Sequence, residues 1–324
     1  MLLLGCGTDT FTSGDGSVDG SADGNAMDGI ATSDTGADVR TDGPTCVWCP
    51  QMSPTTHDLL GVSGVTSNNA VIVVGNGVAY WWSGSWNAIP VSPTTTLRAV
   101  SMFDPNNIWA AGNDTTTGGL LLTGSSGALA PPSTPILNAA PQYNAVARNP
   151  TIGIAVGTQN GSNTFVYSPN GSSWSYGDGT TSYFGLDAEG STNAIGVGSN
   201  KVATFKGSWF EIALSGTHYA VAGNANQGWI AGAGGELMRY TITNSMITTT
   251  MMTSGTTEDL HGIRVRPSGD VYAVGRKGTI VFLKSGTTTA MVQPSGTMQD
   301  LNAIWGDANG LWVVGSAGTI LRHP

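Results

Sequence analysis

The sequence predicts an all-β fold, and three features predict it. Apolar runs of four or five residues recur between turns rich in Gly, Asn and Asp; the 324 residues include 47 Gly; and there are only four Glu, at Glu189, Glu211, Glu236 and Glu258, with no long face of helical period. Short strands between Gly-rich turns build sheets. With 40% hydrophobic residues the chain can bury a core without covalent staples.

In chain order, the first element is the run MLLLGCG. Its L-L-G-C, Leu3 to Cys6, resembles the lipobox of bacterial lipoproteins. That resemblance implies a lipid on Cys6, attachment to a membrane through it, and a place in the cell envelope at the outer membrane, on its periplasmic or its surface side. Residues 1–6 lack the basic region and the ~7–15 apolar residues of a full signal peptide. They read as a truncated signal, of the kind a start codon placed too far downstream leaves; a Leu-rich start without processing is the alternative. Residues 7–45 are almost wholly Gly, Ser, Thr, Ala and Asp. The first 45 residues hold eight Asp and one Arg, a net charge of −7 out of the chain's −9. Such a segment buries too little apolar surface to offset its ordering and is expected to be a disordered tether. Its D-G-S-V-D-G imitates a calcium loop, but the twelfth position from Asp19 is Ile30 where a Glu is required.

Of three cysteines, lipidation of Cys6 leaves Cys46 and Cys49 as a pair and a candidate disulfide. An extended C-V-W-C would hold the two Cα atoms too far apart, so bonding demands a local turn. Zinc would need two more ligands where only His57 is near, and a thioredoxin-like motif would need a βαβ context.

From there a light repeat runs to the end. Each unit has a strand reading hydrophobic, variable, small, hydrophobic, then a turn, then an apolar strand ending in Gly. These glycines are Gly75, Gly112, Gly157, Gly198, Gly232, Gly275 and Gly315. A period of about 40 residues is that of propeller blades. The prediction for residues 46–324 is a seven-bladed β-propeller, with six or eight blades as alternatives because the third and fifth units are degenerate. The last unit, ending Arg322-His323-Pro324, supplies three strands and no fourth. Trp48 to Thr56 parallels Trp86 to Thr96, the outer strand of the first unit, so the N-terminal strand is expected to close the last blade and satisfy its edge.

The units resemble the degenerate repeats of WD-repeat, Kelch-type and photosystem II stability-factor-like propellers. V-Y-S-P-N-G-S-S-W, Val166 to Trp174, resembles the Asp-box turn of bacterial neuraminidase repeats, with Asn170 in place of the Asp and one residue less of spacing. W-S-G-S-W (Trp82 to Trp86) and K-G-S-W (Lys206 to Trp209) hold the same place in other units. These turns occur in enzymes and non-enzymes alike.

No phosphate loop, zincin motif or nucleophile elbow is present, and the four His are dispersed, so no metal or cofactor is expected. The scattered arginines form no motif for the triad a neuraminidase needs. The part after Thr45 has 13 acids and 11 bases, with no basic stripe for nucleic acid. The candidate site is one mouth of the ring. The variable strand position runs Leu60, Arg98, Asn144, Phe184, Tyr219, His261, Asn302, with Arg276 and Lys277 at the rim; concave mixed surfaces of this kind are default binding sites. Trp109, Trp229, Trp305 and Trp312 are assigned to the core. The turns at the other end, Asp104–Asn106 and Arg266–Ser268, are assigned no role. The expected function is a monomeric, lipid-anchored, non-enzymatic binding or assembly module for a protein or glycan partner; a carbohydrate-active, neuraminidase-like hydrolase is the alternative.

Overall fold

The computed structural model describes residues 46–65, 70–132, 142–150, 153–159, 162–168, 182–189, 193–206 and 209–324. Residues 1–45, which carry the Cys6 lipidation and tether expectations, lie outside the described residues, as do residues 169–174 of the Asp-box-like turn.

Described strands follow the repeat. β1 (Cys49–Pro50) comes first. β2 (Leu59–Val65), β3 (Ala70–Gly75), β4 (Val78–Trp82) and β5 (Trp86–Ala88) form one antiparallel sheet; β6 (Thr95–Asp104), β7 (Asn107–Asp114), β8 (Gly118–Ser125) and β9 (Ala128–Ala130) form the next. β10 (Gln142–Arg148), β11 (Gly153–Gln159) and β12 (Ser162–Ser168) form a three-stranded sheet. A six-stranded sheet runs through β13 (Tyr183–Glu189), β14 (Asn193–Lys206), β15 (Trp209–Gly223), β16 (Gln227–Gly232), β17 (Leu237–Thr243) and β18 (Met246–Met251). β19 (Leu260–Val265), β20 (Val271–Gly275), β21 (Ile280–Leu283) and β22 (Met291–Gln293) follow, then β23 (Leu301–Asp307), β24 (Gly310–Gly315) and β25 (Ile320–His323) with β1 at their outer edge.

The hydrogen-bonded sheets among the described residues thus number six where the repeat leads one to expect seven. The difference arises in the middle of the chain. β14 pairs with β13 through its first half and with β15 through its second, and β15 turns its own second half to β16. Two repeat units are therefore continuous in one sheet. β1 pairs antiparallel with β25, Cys49 opposite Arg322 and Pro50 opposite Leu321, so the strand nearest the start of the described chain completes the sheet at its end.

The glycines that close each second strand have a steric cause. Opposite Gly275, residue His261 is skipped in the pairing, so that Leu260 and Gly262 are successive partners. A bulge of this kind brings two backbones together, and a Cβ on Gly275 would lie 1.9 Å from the Asp259 carbonyl oxygen. Gly75, Gly112, Gly198 and Gly315 meet the same obstacle at 1.8–2.2 Å.

The core is a series of clusters between neighbouring sheets. The second strand of a unit is buried on both faces, which is why it reads as a continuous apolar run. On β3, Val71 and Val73 pack with Trp312, Val314 and Ile320 of the last sheet, while Ile72 and Val74 pack with Leu97, Val100 and Ile108 of the next. The first strands lie side by side, as close backbone approaches of Gly61 to Val100, Gly185 to Ala220 and Gly262 to Ile304 show. That proximity demands the small residue of the repeat, Gly or Ala.

Candidate functional site

At one end of the molecule the bulges form a hoop. The skipped residues are Leu60, Arg98, Asn144, Phe184, Tyr219, His261 and Asn302, every one half-buried. The position that varies from unit to unit is therefore one whose side chain is released from the sheet's alternation. All but Leu60 link to a neighbour by a hydrogen bond or a ring contact. Arg98 Nη2 donates to Asn113 Oδ1 at 3.4 Å and to Gln142 Oε1 at 3.3 Å. Gln142 Nε2 donates to Asn144 Oδ1 at 2.6 Å, and Asn144 Nδ2 donates to the Tyr183 carbonyl at 3.0 Å. The Phe184 and Tyr219 rings are 5.7 Å apart, and Tyr219 meets His261 edge-on at 5.4 Å. Asn302 Nδ2 donates to the Leu59 carbonyl at 2.8 Å, joining the last unit to the first. Burial holds the His261 imidazole below its ordinary value, against the pull of Asp259 and Asp300. All seven residues that the sequence places at the variable strand position thus fall in the hoop, and much of the bonding capacity of its polar members goes to ties between units.

Arg276 and Lys277 sit just outside, in a single 3-10 turn, Arg276–Gly278. Arg276 Nη1 is 3.5 Å from Asp259 Oδ2, and Lys277 Nζ is 2.8 Å from Glu258 Oε1. The turn recurs as Ala233–Gly235 and Ser316–Gly318, its middle residue left-handed each time. The middle N–H donates at 2.9 Å to an aspartate heading the next unit: Gly234 to Asp259, Lys277 to Asp300, Ala317 to Asp58. These aspartates end a repeated S-x-T-x-x-D, at Ser254–Asp259, Ser295–Asp300 and Ser53–Asp58. Within it a Ser hydroxyl donates to the Thr carbonyl, at 2.9–3.2 Å. This latch escapes a reading centred on apolar strands, although its residues stand in plain register before Leu260, Leu301 and Leu59.

The other end of the strands holds a cleft of roughly 840 Å³ between the β15–β18 and β19–β22 strands. Arg239, Arg264, Arg266 and Lys284 line it, with Trp229, Asp187 and Asp307. Arg264 Nε donates to the Gly306 carbonyl at 2.8 Å and Arg266 Nη2 to the Ala308 carbonyl at 2.9 Å, which fixes both heads. Arg239 and Lys284 are exposed. None of the four cations lies within salt-bridge distance of a carboxylate among the described residues, although Asp270, held below its ordinary value first by the Ser285 N–H and the Ser268 hydroxyl, also feels Arg266 and Lys284. The acids are occupied: Asp187 accepts from the Gly223 and Ala188 N–H groups, both at 2.8 Å, and Asp307 from Asn309 N–H at 2.6 Å. Arg266 belongs to a turn that sequence reading left without a role, and Trp229 lines the cleft while packing on the core beside it. Trp109 and Trp312 are buried, and Trp305 packs half-buried between the last sheet and the first.

Cys46 and Cys49 are joined in a disulfide with their Cα atoms 5.2 Å apart. The turn this enforces seats Trp48 at 2% exposure, edge-on to Tyr272 and His323, with its Nε1 donating to Gln293 Oε1 at 2.8 Å. No group of three metal-ligating side chains occurs among the described residues.

No family model matches the sequence, and no curated protein matches it. Solved structures do. YCF48 from Cyanidioschyzon merolae superposes with a TM-score of 0.69 at 17% identity, over 86% of this chain and 99% of that one. YCF48 bound to D1 peptide gives 0.67 at 14% identity, over 86% and 97%. The WD40 β-propeller domain of Doa1 gives 0.65 at 12% identity, over 84% and 94%. At such identities the likeness speaks for architecture alone: the chain is a β-propeller.

Proposed function

We propose that this protein is a non-enzymatic binding module that takes an acidic polypeptide segment into the cleft lined by Arg239, Arg264, Arg266 and Lys284. One observation carries the reading: four of the eleven cations after Thr45 line a single cleft, none of them ion-paired among the described residues. Charges left unpaired in a cleft raise the local concentration of an oppositely charged partner. Trp229 adds an apolar wall, and a related architecture has been solved with a peptide bound, YCF48 with D1 peptide. A hydrolase would need acids free to exchange protons or attack, whereas Asp187 and Asp307 are spent on backbone N–H groups. That favours a protein partner over the carbohydrate-active alternative.

The rest of the proposal concerns setting. Seven bulged inner strands succeed one another, two of them in the six-stranded sheet, which supports a count of seven blades. A lipid on Cys6 and a tether over residues 7–45 would display a monomeric ring from the outer membrane. Detergent-phase partition of the secreted protein, abolished by Cys6→Ser, tests that anchor; aqueous partition of the processed wild type refutes it.

The binding test uses a labelled decapeptide of Asp, Glu and Leu beside its Asn/Gln counterpart. The acidic peptide is expected to bind and to weaken with salt, and the Arg239→Ala, Lys284→Ala pair to lose roughly 2- to 30-fold, two exposed ion pairs at about 0.2–1 kcal/mol each, mostly through a slower on-rate. Equal binding of the two peptides, or no effect of the double substitution, would sink the reading.

A further inference from the structure

The hoop at the opposite end contains a cation without an anion. Elsewhere at that end the cations are matched: Lys201 Nζ lies 2.9 Å from Glu211, Lys277 Nζ 2.8 Å from Glu258, Arg276 3.5 Å from Asp259. Arg98 is in salt-bridge range of no carboxylate among the described residues. Asp114, near in sequence, turns its carboxylate to Thr116, Thr94 and the Thr117 N–H. Residues 133–141, which lead into Gln142, read STPILNAAP and contain no acid.

A guanidinium has five N–H donors in a planar fork. Here Nη2 is shared between two amide oxygens at 3.3 and 3.4 Å, at the long limit of hydrogen bonding, and Nε is buried with no partner. Burial also disfavours the charge, with no acid to restore it. A desolvated, unpaired guanidinium is costly unless something supplies the missing charge. The surroundings are set in place to receive it. Gln142 is fixed by its bond to Asn144, which is tied to Tyr183. Asn113, half-buried, accepts from Arg98 on its side-chain oxygen.

We propose that Arg98, with Asn113 beside it, is the docking point for a carboxylate at the hoop end of the ring. The terminal edge of the fork matches a carboxylate's two oxygens; an anion there would neutralise the charge, and the buried Nε of the same guanidinium would report it. The carboxylate belongs either to a small free acid or to an acidic side chain of a partner. This site lies at the other end of the strands from the basic cleft and stands or falls independently of it.

The experiment follows the Arg Nε–Hε resonances of ¹⁵N-labelled protein at constant ionic strength. One arm titrates acetate, with acetamide and chloride as controls; the other titrates a capped glycine–aspartate–glycine peptide against its asparagine form. The Arg98 resonance, assigned by its loss in Arg98→Gln, is expected to shift saturably with carboxylate. Thermal stabilisation by the same ligand is expected to weaken about 10-fold in Arg98→Lys, which keeps the charge but loses the fork. Saturation by acetate alone assigns a small acid; saturation by the aspartate peptide, with or without acetate, assigns an acidic side chain. A response reproduced by acetamide, by the asparagine peptide or by chloride, one that never saturates, or ligand stabilisation that survives in Arg98→Gln overturns the site. Should Arg98→Gln not fold, Arg98→Lys, which also removes the Nε–Hε signal, supplies the assignment, and the acetate-against-acetamide comparison then decides.

Discussion

Asp114 shows how one side chain makes this fold depend on pH. Hydrogen bonds from Thr116 first, then Thr94, hold its carboxyl down to about 2, below the ordinary value near 3.9. A depressed folded value means that the stabilisation is complete above the unfolded value and is lost as pH falls through the folded one. Melting curves should therefore show a loss between roughly pH 4 and pH 2, and Asp114→Asn should flatten that part of the profile. An unchanged slope in the variant would mean that other carboxyls carry it. Glycines offer a second test. A Cβ at Gly275 would meet the Asp259 carbonyl at 1.9 Å, whereas Gly127 has no neighbour within 4 Å. Gly275→Ala should cost more than about 2 kcal/mol, and Gly127→Ala should lie within about 0.5 kcal/mol of wild type. Comparable losses in urea titration would show that the bulge backbone yields easily. The strand-ending glycines could be read from sequence because a steric demand repeated in every unit leaves the same residue at the same place. The cations of the cleft could not. Arg239, Arg264, Arg266 and Lys284 come from two sheets at unrelated positions of the repeat, and only folding gathers them.

The turn and the segment S-x-T-x-x-D form a joint used three times, and it binds each unit to the next through one charge-assisted hydrogen bond. Sequence periodicity revealed the strands on either side because burial writes an apolar signature over several residues. A latch made of one aspartate and one left-handed N–H writes almost none. Replacing Asp259 by Ala should cost about 1–2 kcal/mol, the value of a hydrogen bond to a charged acceptor less what water returns. The same change at Asp58 breaks the joint between Ala317 and the head of the first unit, where the chain offers no covalent continuity. There the expected loss is at least as large, and unfolding should become less cooperative. Equal, negligible losses at both sites in thermal melts would reduce the latch to a surface contact.

Closure of the ring depends on residues that sequence comparison of Trp48–Thr56 with Trp86–Thr96 singles out. The strand pairs Cys49 with Arg322, extends with Gln51 N–H donating to the Ile320 carbonyl at 2.9 Å, and buries Trp48 in the cluster of Tyr272, Val274, Leu301 and Leu311. Two truncations separate this strand from the segment before it. Deleting residues 1–45 leaves every described contact in place, and the melting temperature should change little. Deleting residues 1–56 removes Trp48, the pairing of β25 and the Thr55 carbonyl that packs against Gly318. Loss of a buried Trp alone costs about 3–5 kcal/mol, and the freed edge of β25 becomes a template for other chains. The longer deletion should therefore unfold at markedly lower temperature and aggregate on light scattering. Trp48→Ala, which keeps the strand, should lower stability without aggregation and so separates the plug from the edge. If both truncations melt alike and stay monomeric, the ring is held closed by contacts between the first and last sheets, such as Leu59 and Val71 with Trp312 and Ile320, and the outer strand is dispensable.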